Sequence, residues 1–162
     1  MKKKLLVFLL IIAAVLFLFR IFEYKADYLS KFDPGYWSNR YLHSQWVVPN
    51  SKESIGDDGL YAYAGWEYIH GRDPSLLNAE VPPFGKYLIG LSEIIFTNQN
   101  IFALLCGFFV LISFYFLNKI VFKNTLLALI PVAVLSTEPL FYTQLRAPFL
   151  DLLYLGLLIM IF

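Results

Sequence analysis

Leu5 to Phe19 is fifteen successive apolar residues, preceded by Lys2-Lys3-Lys4 and followed by Arg20. Roughly 20 such residues cross a bilayer as a helix, so this run bounds what the chain can fold into. A cleaved secretory leader would have a shorter core and small residues before its cut site. This core runs straight into Arg20-Ile21-Phe22-Glu23 with no A-x-A pattern. The reading adopted is an uncleaved first span over residues 1–22. The positive-inside rule then puts the lysines, and the N-terminus, on the cytoplasmic side. Arg20 falls near the outer end, where its long stem lets the charge reach the headgroups.

Further runs extend the pattern. Asn100 to Asn118 is a second apolar span, and Lys119 and Lys123 after it mark a return turn on the cytoplasmic side. Thr125 to about Phe141 leads outward again with Pro131 inside it, a residue that membrane helices tolerate. Pro148 opens a fourth run, too short as it stands to cross, so the sequence reads as the N-terminal part of a longer chain. With 59% apolar and 19% aromatic residues and a mean hydropathy of +0.62, the chain departs far from soluble composition. The fold class expected is an all-α multi-pass membrane protein of about four transmembrane helices. Its parts are the first span, an extracytoplasmic loop over 23–98, and the later spans over 99–162. In a prokaryote that places it in the plasma membrane.

The loop is where charge collects. Nine of the twelve acids lie between Glu23 and Lys86, against six of the thirteen Lys and Arg residues. An acidic surface argues against a nucleic-acid partner, which needs a basic footprint. Asp33-Pro34-Gly35 and Pro49-Asn50 break the loop into turns. Tyr36, Trp37, Tyr41 and Trp46 suit the headgroup layer, so the loop is expected to lie along the membrane lipids. Asp57 or Asp58 can cap a short helix, which Gly71-Arg72-Asp73-Pro74 ends. A second begins near Pro83 and runs to about Phe96, with Leu88, Leu91, Ile94 and Ile95 in one stripe; it reads as interfacial.

Four features could carry chemistry, and each has a plain structural reading beside it. Asp57 and Asp58 are adjacent carboxylates able to serve as a general base or as ligands of a divalent cation, or simply as a helix start. Glu80-Val81-Pro82-Pro83-Phe84-Gly85-Lys86 holds an acid and a base on a stiff frame, or is a turn with two solvated charges. Arg146 offers a planar fork suited to phosphate, or anchors to headgroups. Asp151 lies about one turn inside an apolar run, a costly place for a charge, though favourable at a helix start. Cys106 is the single cysteine and sits in an apolar run. His43 and His70 lack metal-ligand spacing, and no Cys/His cluster suits structural zinc.

Taken in order, these motifs resemble the N-terminal part of a GT-C type membrane glycosyltransferase. The nearest group is the dolichyl-phosphate-mannose protein mannosyltransferases, with the relatives that move aminoarabinose onto lipid A. The acid pair followed by x-x-Tyr reads here as Asp57-Asp58-Gly59-Leu60-Tyr61. The acid with Pro-Pro-Leu-x-Lys reads as Glu80-Val81-Pro82-Pro83-Phe84-Gly85-Lys86, and the later Arg with Leu-Asp reads as Arg146 with Leu150-Asp151. Departures are Asp58 for the usual Glu, Val81 where many relatives have His, and Thr97-Asn98-Gln99-Asn100 where many have an arginine.

The resemblance implies inverting transfer of a sugar from a polyprenyl-phosphate donor to a protein or lipid acceptor, a mannosyltransferase-like activity. Asp57 and Asp58 would be catalytic, with Asp57 the base. Tyr61, Glu80, Lys86, Arg146 and Asp151 would bind the substrates, with Arg146 on the donor phosphate. Relatives divide on a divalent cation, whose ligands here would be Asp57 and Asp58. The alternative is a non-catalytic membrane subunit or transporter that binds a lipid-linked glycan.

Overall fold

The computed structural model describes residues 2–162, and these are all-helical, 72% helix with no strand. Nine α-helices follow in order: α1 (Lys2–Glu23), α2 (Lys25–Leu29), α3 (Pro34–Leu42), α4 (Asp57–Ile69), α5 (Pro83–Phe96), α6 (Asn100–Phe122), α7 (Thr125–Leu135), α8 (Pro139–Leu145) and α9 (Asp151–Ile159). Two of them are long and apolar enough to cross a membrane: Lys3–Glu23, with mean hydropathy 3.1, and Asn100–Phe122, with 2.3. At 1.5 Å per residue the second is about 35 Å long, enough for a hydrocarbon core of about 30 Å.

The two spans are built differently. α6 lies at the centre, packed by α7, α8, α9 and α5, and it buries Phe102, Ala103, Cys106 and Val110. α1 is nearly all exposed, with only 6% of its apolar window buried. Phe17 is the buried hydrophobe that fixes it, its ring 5.9 Å from Phe108 and 6.2 Å from Tyr142. An apolar helix this exposed is stable where lipid, rather than water, surrounds it.

The run from Thr125 to Phe141 is not one continuous helix. It breaks after Leu135 into α7 and α8, which meet at 73°. Pro131 stays inside α7, and the break falls at Pro139 instead. Proline disfavours helical torsions in the residue before it. Glu138 is accordingly extended (φ −76°, ψ 128°), and its carboxylate accepts from Phe141 N at 2.8 Å as the cap of α8. The run after Pro148 forms only α9, whose nine residues make roughly 13 Å of helix.

α4 and α5 pack as an antiparallel pair, Gly65 against Gly90 and Tyr68 against Tyr87. The crossing is close enough that a Cβ on Gly65 would stand 2.5 Å from the Lys86 carbonyl oxygen. Of the stripe expected on α5, Leu91, Ile94 and Ile95 are exposed and Leu88 packs half-buried on the core, while Lys86, Ile89, Gly90, Ser92 and Glu93 are buried. Apolar groups outside and polar groups inside is the reverse of a helix on a water-soluble core.

Candidate active site

Four segments meet where the loop joins the spans. α2 follows α1, and α8 ends at Arg146. The first turn of α4 carries Asp58, and Thr97 to Asn100 links α5 to α6. Between them lies a cleft of about 360 Å³ lined by Asp27, Trp37, Asp58, Gln99, Thr143 and Arg146, among others.

Amides tie α2 to the start of α6. Asn98 Nδ2 donates to the Asp27 and Ser30 carbonyls at 2.9 and 2.5 Å, while its Oδ1 accepts from Asn100 N and Ile101 N at 2.7 and 3.1 Å. Asn100 Nδ2 also donates to the Asp27 carbonyl, at 2.9 Å. Buried amides must find partners, and these are spent tying α2 to α6. The segment where the resembled family often carries an arginine thus has a structural role here. Gln99 differs: it is buried, lines the cleft, and its Oε1 has no hydrogen-bond partner.

Arg146 reaches across the cleft. Its Nε donates to Asp27 Oδ2 at 3.0 Å, and its guanidinium carbon stands 4.2 Å from the centroid of the Tyr24 ring. The Tyr28 hydroxyl donates to the Leu145 carbonyl at 3.1 Å. Burial first, and then the Asp27 charge, push that hydroxyl up to about 12, with Arg146 pulling the other way. It is therefore a fixed donor at physiological pH.

The adjacent acids separate. Neither caps α4: Gly56 is the N-cap residue, and Asp57 and Asp58 stand in the first turn. There they meet the positive end of the helix dipole, but successive positions point about 100° apart. Asp58 lines the cleft with Arg146. Asp57 instead shares the surroundings of the Tyr61 hydroxyl with Asp151, Tyr154 and Glu80. Burial raises the pKa of that phenol, and these neighbours raise it further. Trp37 can lie on this turn because residue 59 is glycine; a Cβ there would stand 2.2 Å from its ring.

No family model, curated protein or solved structure matches this chain. Its chemistry therefore rests on the residues just described.

Lys86 belongs to another structure. It is wholly buried, and its Nζ donates to the Asn78 carbonyl and Oδ1 at 2.6 and 3.0 Å, 5.3 Å from the centroid of the Tyr68 ring. Burial lowers its pKa to about 8, against the pull of Glu80. It ties the 70–82 loop to α5 and does not line the Asp58–Arg146 cleft. His43 and His70 each bond a carbonyl four residues back, Asn39 and Trp66. Among the described residues, no group of three His, Cys, Asp or Glu side chains could hold a metal ion. Asp57 and Asp58 face different surroundings, Asp58 in the cleft and Asp57 beside the Tyr61 hydroxyl.

Three residues of this region carried no role in the sequence reading: Asp27, Gln99 and, on α5, Glu93. Glu93 is buried with neither carboxylate oxygen hydrogen-bonded, and burial raises its pKa to about 9. A lone acid opposite an apolar stripe was its signal. Asp27 gave none, since its partner is 119 residues away.

Proposed function

We propose that the cleft transfers a sugar from a polyprenyl-phosphate donor to a hydroxyl of a protein or lipid acceptor, on the extracytoplasmic face. In this reading the chain is a GT-C type, multi-pass membrane glycosyltransferase with about four spans. They are α1, α6, the α7–α8 pair, and the run that contains α9. The observation that supports it is that Asp58 and Arg146 line one cleft at the loop-side end of the spans. A base and a phosphate-binding cation must stand on opposite sides of a sugar for a displacement between them.

In the reaction, the acceptor oxygen attacks the anomeric carbon as the bond from that carbon to the phosphate oxygen breaks. The acceptor proton passes to Asp58. The electron pair leaves on the lipid phosphate, whose charge Arg146 stabilises. The base therefore moves from Asp57, the sequence-based assignment, to its neighbour. Asp57, Glu80 and Asp151 surround the Tyr61 hydroxyl outside the cleft lining, and in this reading they bind the acceptor.

The test is transfer of radiolabelled sugar from polyprenyl phosphate by the full chain in lipid vesicles. Asp58→Asn should lower the rate by about 100-fold or more, the range of a lost general base, and Asp57→Asn by much less. The reverse order would return the base to Asp57. Donor binding without turnover would make the chain a non-catalytic subunit that binds a lipid-linked glycan.

A further inference from the structure

Beside the cleft lie two more hollows. The first is a notch of about 350 Å³, walled by Arg20, Tyr24, Thr137, Tyr142, Thr143 and Arg146 among others; no carboxylate lines it. Thr143 and Arg146 line both notch and cleft. The second is a groove of about 500 Å³ between α1, α6 and α7, apolar on every side except Ser136. The two hollows border neighbouring residues, Phe17 and Ser136 on the groove and Leu16 and Thr137 on the notch.

The notch is held by a reciprocal exchange. Arg20, in the last turn of α1, stands 6.0 Å from the Tyr142 ring of α8, while Arg146, after α8, stands 4.2 Å from the Tyr24 ring beyond α1. Each arginine also bonds one carboxylate, Arg20 to Glu23 at 2.8 Å and Arg146 to Asp27 at 3.0 Å. Arg20 uses one terminal nitrogen for this and Arg146 uses Nε. A guanidinium has further donors in its fork, and both side chains remain about half exposed, at 51% and 48%.

From this we infer that Arg20 is a second phosphate-binding residue and that the α1–α6–α7 groove holds the isoprenoid chain of the same lipid. The inference rests on the proposed transfer reaction and adds to it a seat for the donor. Charge complementarity selects the occupant: an anion fits between two arginines with no acid in the wall, and a hollow lined by apolar side chains lies next to it. The sugar then projects past Arg146 toward Asp58.

The test is titration of the full chain, in phosphatidylcholine nanodiscs, with farnesyl phosphate, farnesol and inorganic phosphate. Farnesyl phosphate should bind at least tenfold tighter than either part alone. Arg20→Gln should weaken it by about tenfold or more, as expected for a charge-assisted bond, and leave farnesol unchanged. Ala14→Phe, which fills the groove from the lipid-exposed α1, should weaken farnesyl phosphate and farnesol alike. Unchanged affinity in either variant overturns the inference, as does equal displacement of farnesyl phosphate by phosphatidylglycerol, which would make the groove a general lipid site. If binding follows this pattern but no sugar is transferred, the reaction fails and the lipid seat stands. If Asp58-dependent transfer survives Arg20→Gln at full rate and affinity, the seat fails and the reaction stands.

Discussion

Asp27 holds Arg146 across 119 residues of sequence, Nε to Oδ2 at 3.0 Å. This is the charge that a donor phosphate would have to share or displace. The pair is about half exposed, and exposed pairs are worth only about 0–1 kcal/mol. Asp27→Asn should therefore barely move the unfolding temperature, because the carbonyl of residue 27, which Asn98 and Asn100 bond, is untouched. Farnesyl phosphate should bind several-fold tighter to Asp27→Asn and at least tenfold weaker to Arg146→Gln. Equal weakening in both would mean that the pair acts by shaping the cleft.

Lys86 gives a pH dependence of definite sign. Burial lowers its pKa to about 8 from 10.5, so between those values the unfolded chain keeps a proton that the folded chain has released. Stability then rises with pH across that window. In detergent, the thermal midpoint of the native chain should climb from pH 8 toward 10.5. Lys86→Met should lose that climb. The substitution also leaves the Asn78 carbonyl without its donor, which costs roughly 1–3 kcal/mol.

Glu93 predicts the opposite slope. Its folded pKa of about 9 stands above the unfolded 4.5, so the folded chain holds a proton that the unfolded chain gives up. Its contribution is complete below pH 4.5 and is lost as pH rises through 9. Glu93→Gln should flatten the decline and leave the variant more stable than the native chain at pH 9. An unchanged slope would show that Glu93 is not the group behind the decline.

The pattern of runs and breakers made α1, α4, α5 and α6 legible, but not α2 or α3, where Asp33-Pro34-Gly35 read as a turn and instead caps and opens α3. Gly71 and Pro74 end α4, Pro83 opens α5, and α6 starts at Asn100, because these boundaries depend on local torsions. The inward burial of Lys86 and Glu93 was not legible, since an apolar stripe does not say whether lipid or protein covers it. Nor was the bend at Glu138: Pro131 is the more conspicuous proline, but Pro139 has an acid before it that can cap a new helix. In the cleft, Arg146 and Asp58 could be picked out by type. Asp27 and Gln99 depend on contacts between distant segments.

The crossing of α4 and α5 sets where Asp58 stands, and it depends on Gly65 and Gly90. A Cβ on Gly90 would be 2.3 Å from the Gly65 carbonyl oxygen, and one on Gly65 would be 2.8 Å from Gly90 N. Both clashes are with backbone, which cannot rotate away as a side chain can. Overpacking costs typically about 1–3 kcal/mol, so Gly90→Ala should lower the thermal midpoint and push the helices apart. Residues 57–61 would shift with α4, so the same variant should lose sugar transfer well beyond its loss of stability. Farnesyl phosphate binding, which depends on α1 and α6 to α8, should stay close to native. A Gly90→Ala protein that keeps both midpoint and transfer would show that α4 is positioned by Trp37 on Gly59 instead.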